Sequence, residues 1–306
     1  MSVTGVAQTG QIGIADAGGH RLAGRLGEMF RSRRLLAGAC IVGVFLGVGI
    51  IGPFFIRNPN ALSHSDWAPP SVSHWLGTNE IGQDVFAQLV VSTRASLEIG
   101  VGAGLIATVI SILIGISGGY AGGIVDEALS LLTNVVLVIP TLPLVILVLA
   151  YVKSNSLLPL IMIIALTSWA AAARVLRAQT LSVRNREYIL AARANGERAF
   201  RIILVEILPN ELPVIVSNLI FAMIFAILTQ AGLAFIGLGD PTALTWGNML
   251  NIAYNDEALS FGAWWWFIPP GACIALLGMG LALINFGLDE ILNPRLRLYR
   301  PARKRR

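Results

Sequence analysis

Six stretches of the chain carry no Asp, Glu, Lys or Arg and are long enough to cross a membrane. A helix that crosses a hydrocarbon core about 30 Å thick needs about 20 apolar residues, and the shortest stretch has 20. The stretches are 35–56, 99–125, 128–152, 154–173, 212–239 and 258–288. With their more polar flanks trimmed, they predict transmembrane helices near 35–56, 96–118, 128–152, 157–176, 213–236 and 267–289.

The pattern within these stretches indicates helices and not barrel strands. A barrel strand alternates apolar and polar residues over about 10 positions, whereas runs such as 99–116 and 142–151 are apolar on every face. An α-helix satisfies its own backbone hydrogen bonds in lipid. The predicted fold class is therefore an all-α membrane protein with six transmembrane helices.

Two backbone features stand out within the predicted helices. Pro140 and Pro143 are expected to kink the third helix, because proline removes a helical hydrogen bond. Three glycine pairs have the four-residue spacing that lets membrane helices approach closely. These pairs are Gly43/Gly47, Gly100/Gly104 and Gly115/Gly119.

Composition agrees with a lipid environment. The 306 residues are 55% hydrophobic and only 13% charged, and the mean hydropathy is +0.73. A soluble domain averages about 25% charged residues, and disordered chains have low hydrophobicity. Both classes are excluded.

The basic residues predict the orientation. Nineteen of the 22 Lys and Arg residues precede the first predicted helix, lie between the fourth and fifth, or follow the sixth. Only Arg57, Arg94 and Lys153 fall on the other side. Because cytoplasmic loops are enriched in Lys and Arg, we expect both termini in the cytoplasm. The basic C-terminal run lies next to a predicted span, so we expect it to mark orientation and not to bind nucleic acid.

Several kinds of chemistry have no residues to support them. No acid or histidine is predicted at mid-membrane depth, where a proton relay would need one. The two cysteines, Cys40 and Cys273, are single residues in apolar runs and give no metal spacing. A P-loop needs Gly-Lys-Ser/Thr, and neither Lys153 nor Lys304 follows a glycine. Any ATP-driven transport must therefore draw its energy from another subunit.

A charged segment, 174–213, interrupts the apolar pattern. It predicts a helix over 186–195, a Gly196 cap, and a second amphipathic helix over 197–208 that Pro209 stops. Ala191 and Ala192 would let a partner approach closely. An amphipathic loop lying on lipid head groups is the alternative interpretation.

This segment resembles the EAA loop of bacterial ABC importer permeases, whose pattern is EAA-x3-G-x9-I-x-LP. Ala191-Ala192, Gly196 and Leu208-Pro209 stand at the family spacing. Leu190 replaces the acidic residue and Glu206 replaces the isoleucine. Glu187 is an acid close enough to substitute electrostatically for the missing one.

A second region narrows the resemblance. Residues 74–100 are similar to the LGTDxxGRDxxSRLxxGxRxSL signature of dipeptide, oligopeptide and nickel permeases, although Gln83 stands where arginine is usual. A first helix and a long outer loop before this signature are typical of the C-type permease of the pair (DppC/OppC-like). The similarity continues through 118–126, 235–239, 246–250 and 293–297.

The resemblance implies a type I ABC importer permease (MetI-like) fold and no enzymatic activity. It divides the chain into a cytoplasmic tail (1–34), a first helix with outer loop (35–94), a permease domain (95–292) containing the coupling loop 177–212, and a basic tail (293–306). The expected substrates are dipeptides or oligopeptides, with nickel or another small solute as the alternative. A self-sufficient carrier or channel and a non-transporting scaffold are the competing classes.

The resemblance also implies partners. They are a homologous second permease, two ABC ATPase subunits or domains, an extracytoplasmic substrate-binding protein and membrane lipid. The chain needs no cofactor, and ATP and Mg are expected on the ATPases. The residues expected to contact an ATPase are Glu187, Ala191, Ala192, Arg193, Asn195 and Gly196. On the outer side, the tryptophans at 264–266 are expected either to anchor the chain in the membrane interface or to dock the binding protein.

Overall fold

The computed structural model describes residues 32–56, 58–63, 65–152, 156–238, 240 and 242–292, and most of these residues are in helices. Between residues 56 and 84 two isolated β-bridges, Leu62 with Gln83 and Thr78 with Asp84, hold a compact loop. The helices, in chain order, are α1 (Arg33–Phe55), α2 (Val85–Ala121), α3 (Gly123–Val138), α4 (Thr141–Tyr151), α5 (Leu157–Val183), α6 (Glu187–Ala194), α7 (Ala199–Phe235), α8 (Trp246–Asn255) and α9 (Trp264–Leu292).

Five of the described helices are long and apolar enough to span a membrane, and the number is six if the bent pair α3–α4 crosses as one span. The two helices of the pair meet at 82°. The break falls at Ile139, whose extended backbone precedes Pro140, because a residue before proline disfavours the helical conformation. The kink predicted in the third span is confirmed.

The helix at the second span begins eleven residues earlier than the prediction of 96–118. Asp84 caps α2 by accepting a hydrogen bond from the Ala87 N–H at 3.0 Å, so the helix extends through a charged turn. There Arg94 pairs with Glu98 at 2.8 Å. At its other end α2 stops at Gly122, and α3 begins directly after it, with Asp126 in its first turn.

The expectation that Pro209 separates two helices was wrong. The chain runs as one helix from Ala199 to Phe235, with a π-helical segment over Ile202–Ile207. Pro209 falls in the first turn of the α-helical part that begins at Leu208. A missing N–H is tolerated at that position, so the helix continues through it.

Close packing around α2 explains two of the three glycine pairs. A Cβ at Gly115 would lie 2.5 Å from the Ala173 carbonyl oxygen, and one at Gly119 would lie 2.8 Å from the Thr180 Cβ, both on α5. Gly100 and Gly104 approach α7 in the same way. A Cβ at Gly43 or Gly47 on α1 would meet nothing within 4 Å, so this third pair makes no close helix contact among the described residues.

The end of the bundle opposite α6 contains an aromatic cluster. Trp266 is 1% exposed and packs 5.7 Å from Trp67, while Trp265 donates a hydrogen bond to the Thr78 carbonyl. Only Trp264, which is 52% exposed, remains available to a membrane interface or a partner. Neither role expected for the three tryptophans fits Trp265 and Trp266, which attach the 56–84 loop to α9. Between α7 and α9 the chain forms the short helix α8.

Replacing Gly115 with alanine tests the close contact between α2 and α5. The new methyl group would overlap the Ala173 carbonyl oxygen, and we expect a cost of about 1–3 kcal/mol from overpacking. Gly43→Ala is the matched control, because its methyl group meets open space and alanine favours helix by about 1 kcal/mol. The midpoint of thermal unfolding in detergent, followed by tryptophan fluorescence, should fall for Gly115→Ala and not for Gly43→Ala. Equal midpoints in the two variants would contradict the close packing of α2 against α5.

Two carboxyl groups lie side by side near the aromatic cluster. Burial, and then the neighbouring Asp256 carboxyl, raise the pKa of Glu80 above its ordinary value of 4.5. Burial likewise raises the pKa of Asp256 above 3.8. The fold thus favours the protonated form of the pair. The contribution of the protonated pair to the free energy of unfolding is fully present at a pH below the ordinary pKa values. It is lost as the pH rises through the raised pKa values of the folded protein.

Glu80→Gln should therefore stabilise the protein at pH 7, because glutamine carries no charge to bury beside Asp256. We expect a rise of about 1–2 °C in the unfolding midpoint at pH 7 and no rise at pH 4. Asp66→Asn in the same loop is the control. A stabilisation of equal size at both pH values would show that the charge is not responsible.

Candidate functional site

Helix α6 is a short exposed helix that follows α5 directly. Arg184 is the C-cap of α5, and Arg186, with an extended backbone, precedes the first turn of α6. Glu187 lies in that turn, where a negative charge interacts favourably with the helix dipole. The helix predicted over 186–195 is confirmed as Glu187–Ala194.

The end of α6 is a Schellman motif. Gly196 has φ +74°, and its N–H donates to the Arg193 carbonyl at 3.0 Å, while the Glu197 N–H donates to the Ala192 carbonyl at 3.1 Å. This pair of bonds satisfies the last free carbonyls of the helix. The glycine is required here by its backbone conformation, as the sequence predicted.

A single buried side chain attaches α6 to the bundle. Ile189 is fully buried, and Ala192 packs at the edge of the same apolar cluster. The other buried members come from α2, α5 and α7: Ile116, Leu176, Val183, Ile202, Ile207 and Ile215. Burying an isoleucine contributes about 1.5–3 kcal/mol, so Ile189 anchors α6 to the helices that form this cluster.

Arg193 adds a second attachment. Its guanidinium carbon lies 4.6 Å above the ring centroid of Tyr120, in the last turn of α2. Such cation–π contacts contribute about 0.5–1 kcal/mol at exposed sites. Arg193 and Ala192 were predicted to contact a partner, and the structure places both against their own chain.

The opposite face of α6 is exposed. Glu187, Leu190, Ala191 and Ala194 are exposed at helical spacing, and Asn195 follows them. Leu190 is 50% exposed beside Ala191. The face combines one acid, one large apolar side chain and small residues that permit close approach, which suits a protein cleft better than an anionic lipid surface.

Three polar side chains of α5 secure the base of this site, and the sequence reasoning missed all of them. Arg177 makes a bidentate ion pair with Asp126 of α3, and Arg184 donates to the Gly119 carbonyl at 3.0 Å. Thr180 donates to Glu211 of α7 at 2.8 Å. One signal in the sequence could have found them. Arg177, Thr180 and Arg184 stand at i, i+3 and i+7, which places them on one helix face.

The site is unlike a catalytic or metal centre. Within the described ranges, no group of three or more His, Cys, Asp or Glu side chains could hold a metal ion. The polar groups at the α6 end pair with one another across helices. What the arrangement offers is an exposed helix face on a rigidly attached base.

Comparison with known proteins matches most of the chain to a family. The family described as "Binding-protein-dependent transport system inner membrane component" matches residues 111–298. That range includes α6 and every residue named above as its base.

Relatives match over most of the chain. The oligopeptide transport system permease protein OppC of Bacillus subtilis is 33% identical over 274 residues, covering 88% of both chains. The dipeptide transport system permease protein DppC of the same organism is 32% identical, covering 87% of this chain and 83% of the relative.

A solved structure shares the fold. A chain of the MetNI methionine ABC transporter, in inward-facing conformations, matches with a TM-score of 0.52 at 19% identity, over 68% of this chain and 95% of that one.

The turn after α6 can be tested at Gly196. A Cβ there meets nothing within 4 Å, so substitution costs only backbone strain, about 1–2 kcal/mol for most residues. Gly196→Val should raise the rate of amide hydrogen exchange in α6 about tenfold, whereas Gly196→Asn should stay near the wild-type rate because asparagine tolerates positive φ. Equal exchange in the two variants would mean that the cap does not hold α6.

Proposed function

Because the chain belongs to the family of binding-protein-dependent transport system inner membrane components, we propose that it forms half of the translocation pathway of an ATP-driven importer of short peptides. Membership makes the chain a non-catalytic, multi-pass membrane component, as predicted. The MetI-like permease fold predicted from the motifs is also confirmed.

The peptide substrate is inferred from the relatives. Those that match over most of the chain are named as oligopeptide and dipeptide permeases. The Asp, Glu, Lys and Arg residues of the described spans lie toward the helix ends, and the middle of each span is uncharged. Such a neutral pathway suits short peptides.

The proposed coupling between an ATPase subunit and this chain rests on one observation, the exposed face of α6. We place a cytoplasmic ATPase subunit on the face formed by Glu187, Leu190, Ala191 and Ala194, next to the Asn195–Gly196 turn. Ala192 and Arg193 hold the helix on the bundle from behind. Movement of the ATPase would then displace α6 together with α5 and α2.

The remaining partners follow from this role. They are a homologous second permease, a second ATPase subunit or domain, and an extracytoplasmic substrate-binding protein. ATP and Mg bind to the ATPases, and this chain supplies no cofactor site. The α6 end and both termini face the cytoplasm, in line with the excess of Lys and Arg on that side.

Reconstitution tests the proposal as a whole. The two permeases, two ATPases and binding protein are placed in vesicles, and uptake of a labelled dipeptide, a labelled pentapeptide and nickel is measured with and without ATP. We expect ATP-dependent peptide uptake only with the complete set. Uptake by this chain alone, or of nickel in place of peptides, would overturn the proposed function.

Ala191→Arg tests the docking face. Arginine would project from the middle of the exposed face and block close approach, so we expect at least about a tenfold loss of ATPase copurification and of uptake. Ala199→Arg, at another exposed alanine near α6, is the matched control and should leave both unchanged. Normal ATP-driven uptake in Ala191→Arg would rule out this face as the ATPase contact.

A further inference from the structure

Glu211 is a fully buried acid that the docking face does not use. It lies near the start of the α-helical part of α7 and is 0% exposed. Its Oε1 accepts a hydrogen bond from the Thr180 hydroxyl of α5 at 2.8 Å. Its Oε2 has no partner among the described residues. A buried acid held by one neutral partner is costly, which makes its position informative.

The backbone around Glu211 is the least self-supporting part of α7. The π-helical segment Ile202–Ile207 precedes it, and Pro209 and Pro213 flank it. Each proline removes a backbone donor, and π-helical turns are rare and often found at functional sites. Contacts with neighbouring helices must therefore fix α7 here.

Thr180 is suited to fix it, because Thr180 cannot move. A Cβ placed on Gly119 would lie only 2.8 Å from the Thr180 Cβ, so α2 packs tightly against Thr180. The Thr180 hydroxyl also lies 2.9 Å from the Leu176 carbonyl of its own helix, so its single hydrogen is shared between that oxygen and Glu211 Oε1. One turn later, Arg184 holds the end of α2, and α6 begins three residues after it.

Glu211 and Thr180 thus join the pliable helix to the rigid one at the base of α6. The buried cluster beside them unites Ile189 of α6 with Ile202 and Ile207 of the π-helical segment. Among the described residues, α5 and α6 meet α7 through these apolar contacts, which have no direction, and through one directed side-chain hydrogen bond, Thr180 to Glu211.

Resting on the proposed function, we propose that Glu211 is a positioning residue of the transport cycle. Its hydrogen bond with Thr180 fixes the rotation of α7 against α5, so that movement of α6 turns both helices as a unit. Without this bond the ATPase can still move α6, and the π-helical segment absorbs the movement before it reaches the membrane-spanning part of α7.

The test measures ATP hydrolysis and peptide uptake together in the reconstituted complex, and their ratio is the readout. Glu211→Met and Thr180→Val remove the bond with little change in size. We expect each to lower peptide taken up per ATP hydrolysed about tenfold, with ATP hydrolysis stimulated by the binding protein within about twofold of wild type. The double variant should be no worse than either single one, because both remove the same bond.

Conservative variants separate positioning from packing. Glu211→Gln keeps the acceptor and Thr180→Ser keeps the donor, so both should keep the ratio within about twofold of wild type. Thr167→Val is the matched control on α5, since the Thr167 hydroxyl bonds only to carbonyls of its own helix. It should leave the ratio unchanged.

Other results would overturn the inference. These are uptake and hydrolysis that fall in proportion, Glu211→Gln as damaging as Glu211→Met, or Thr167→Val as damaging as Thr180→Val. If Glu211→Met fails to assemble, Thr180→Val and Thr180→Ser decide alone. A wild-type complex without ATP-dependent uptake refutes the proposed function instead, and is recognised before any variant is made.

Discussion

The close contact between α2 and α5 is the constraint on which the rest of the site depends. Lipid supplies no hydrophobic force between helices, so the pair is held by backbone approach and polar bonds. Gly115 and Gly119 remove the side chains that would keep the helices apart. The Ser111 hydroxyl then donates across the contact to the Trp169 carbonyl at 2.8 Å. These contacts fix the position of α5, and with it the direction in which the chain leaves the C-terminal end of α5.

That direction places α6. Arg184 holds the end of α2 from α5, and α6 begins three residues later with Ile189 inserted into the cluster that α2, α5 and α7 share. Arg193 on the ring of Tyr120 prevents rotation about this anchor. Eight residues would be a marginal helix in water, and these tertiary contacts stabilise it.

Much of this organisation could be predicted from the sequence. The apolar stretches gave the spans because lipid imposes a minimum length on each, and the Gly196 cap gave the end of α6 because few other residues adopt its φ. The sides of α6 could not be predicted: Arg193 and Ala191 are two residues apart, yet one faces Tyr120 and the other solvent. That choice depends on Ile189, whose cluster includes Ile116, 73 positions earlier in the chain.

The errors share a physical cause. Pro209 reads as a helix stop, but the π-helical turn before it shifts the register so that its missing N–H falls in a first turn. Trp265 and Trp266 read as interfacial residues, but the 56–84 loop folds over them and Thr78 accepts the Trp265 N–H. In both places a neighbouring segment changes the environment that the local sequence pattern implies. Such compensation cannot be recognised from the local sequence alone.

Stiff and pliable parts of the bundle meet at α7. The helices α2 and α5 are stiff because glycines and polar bonds fix them, whereas α7 enters the same junction through a π-helical segment and two prolines. A uniformly rigid junction would transmit force but could not change shape, and a uniformly soft one would change shape without transmitting force. Placing stiffness on α5 and compliance on α7, with Thr180 and Glu211 as the directed bond between them, allows both in one bundle.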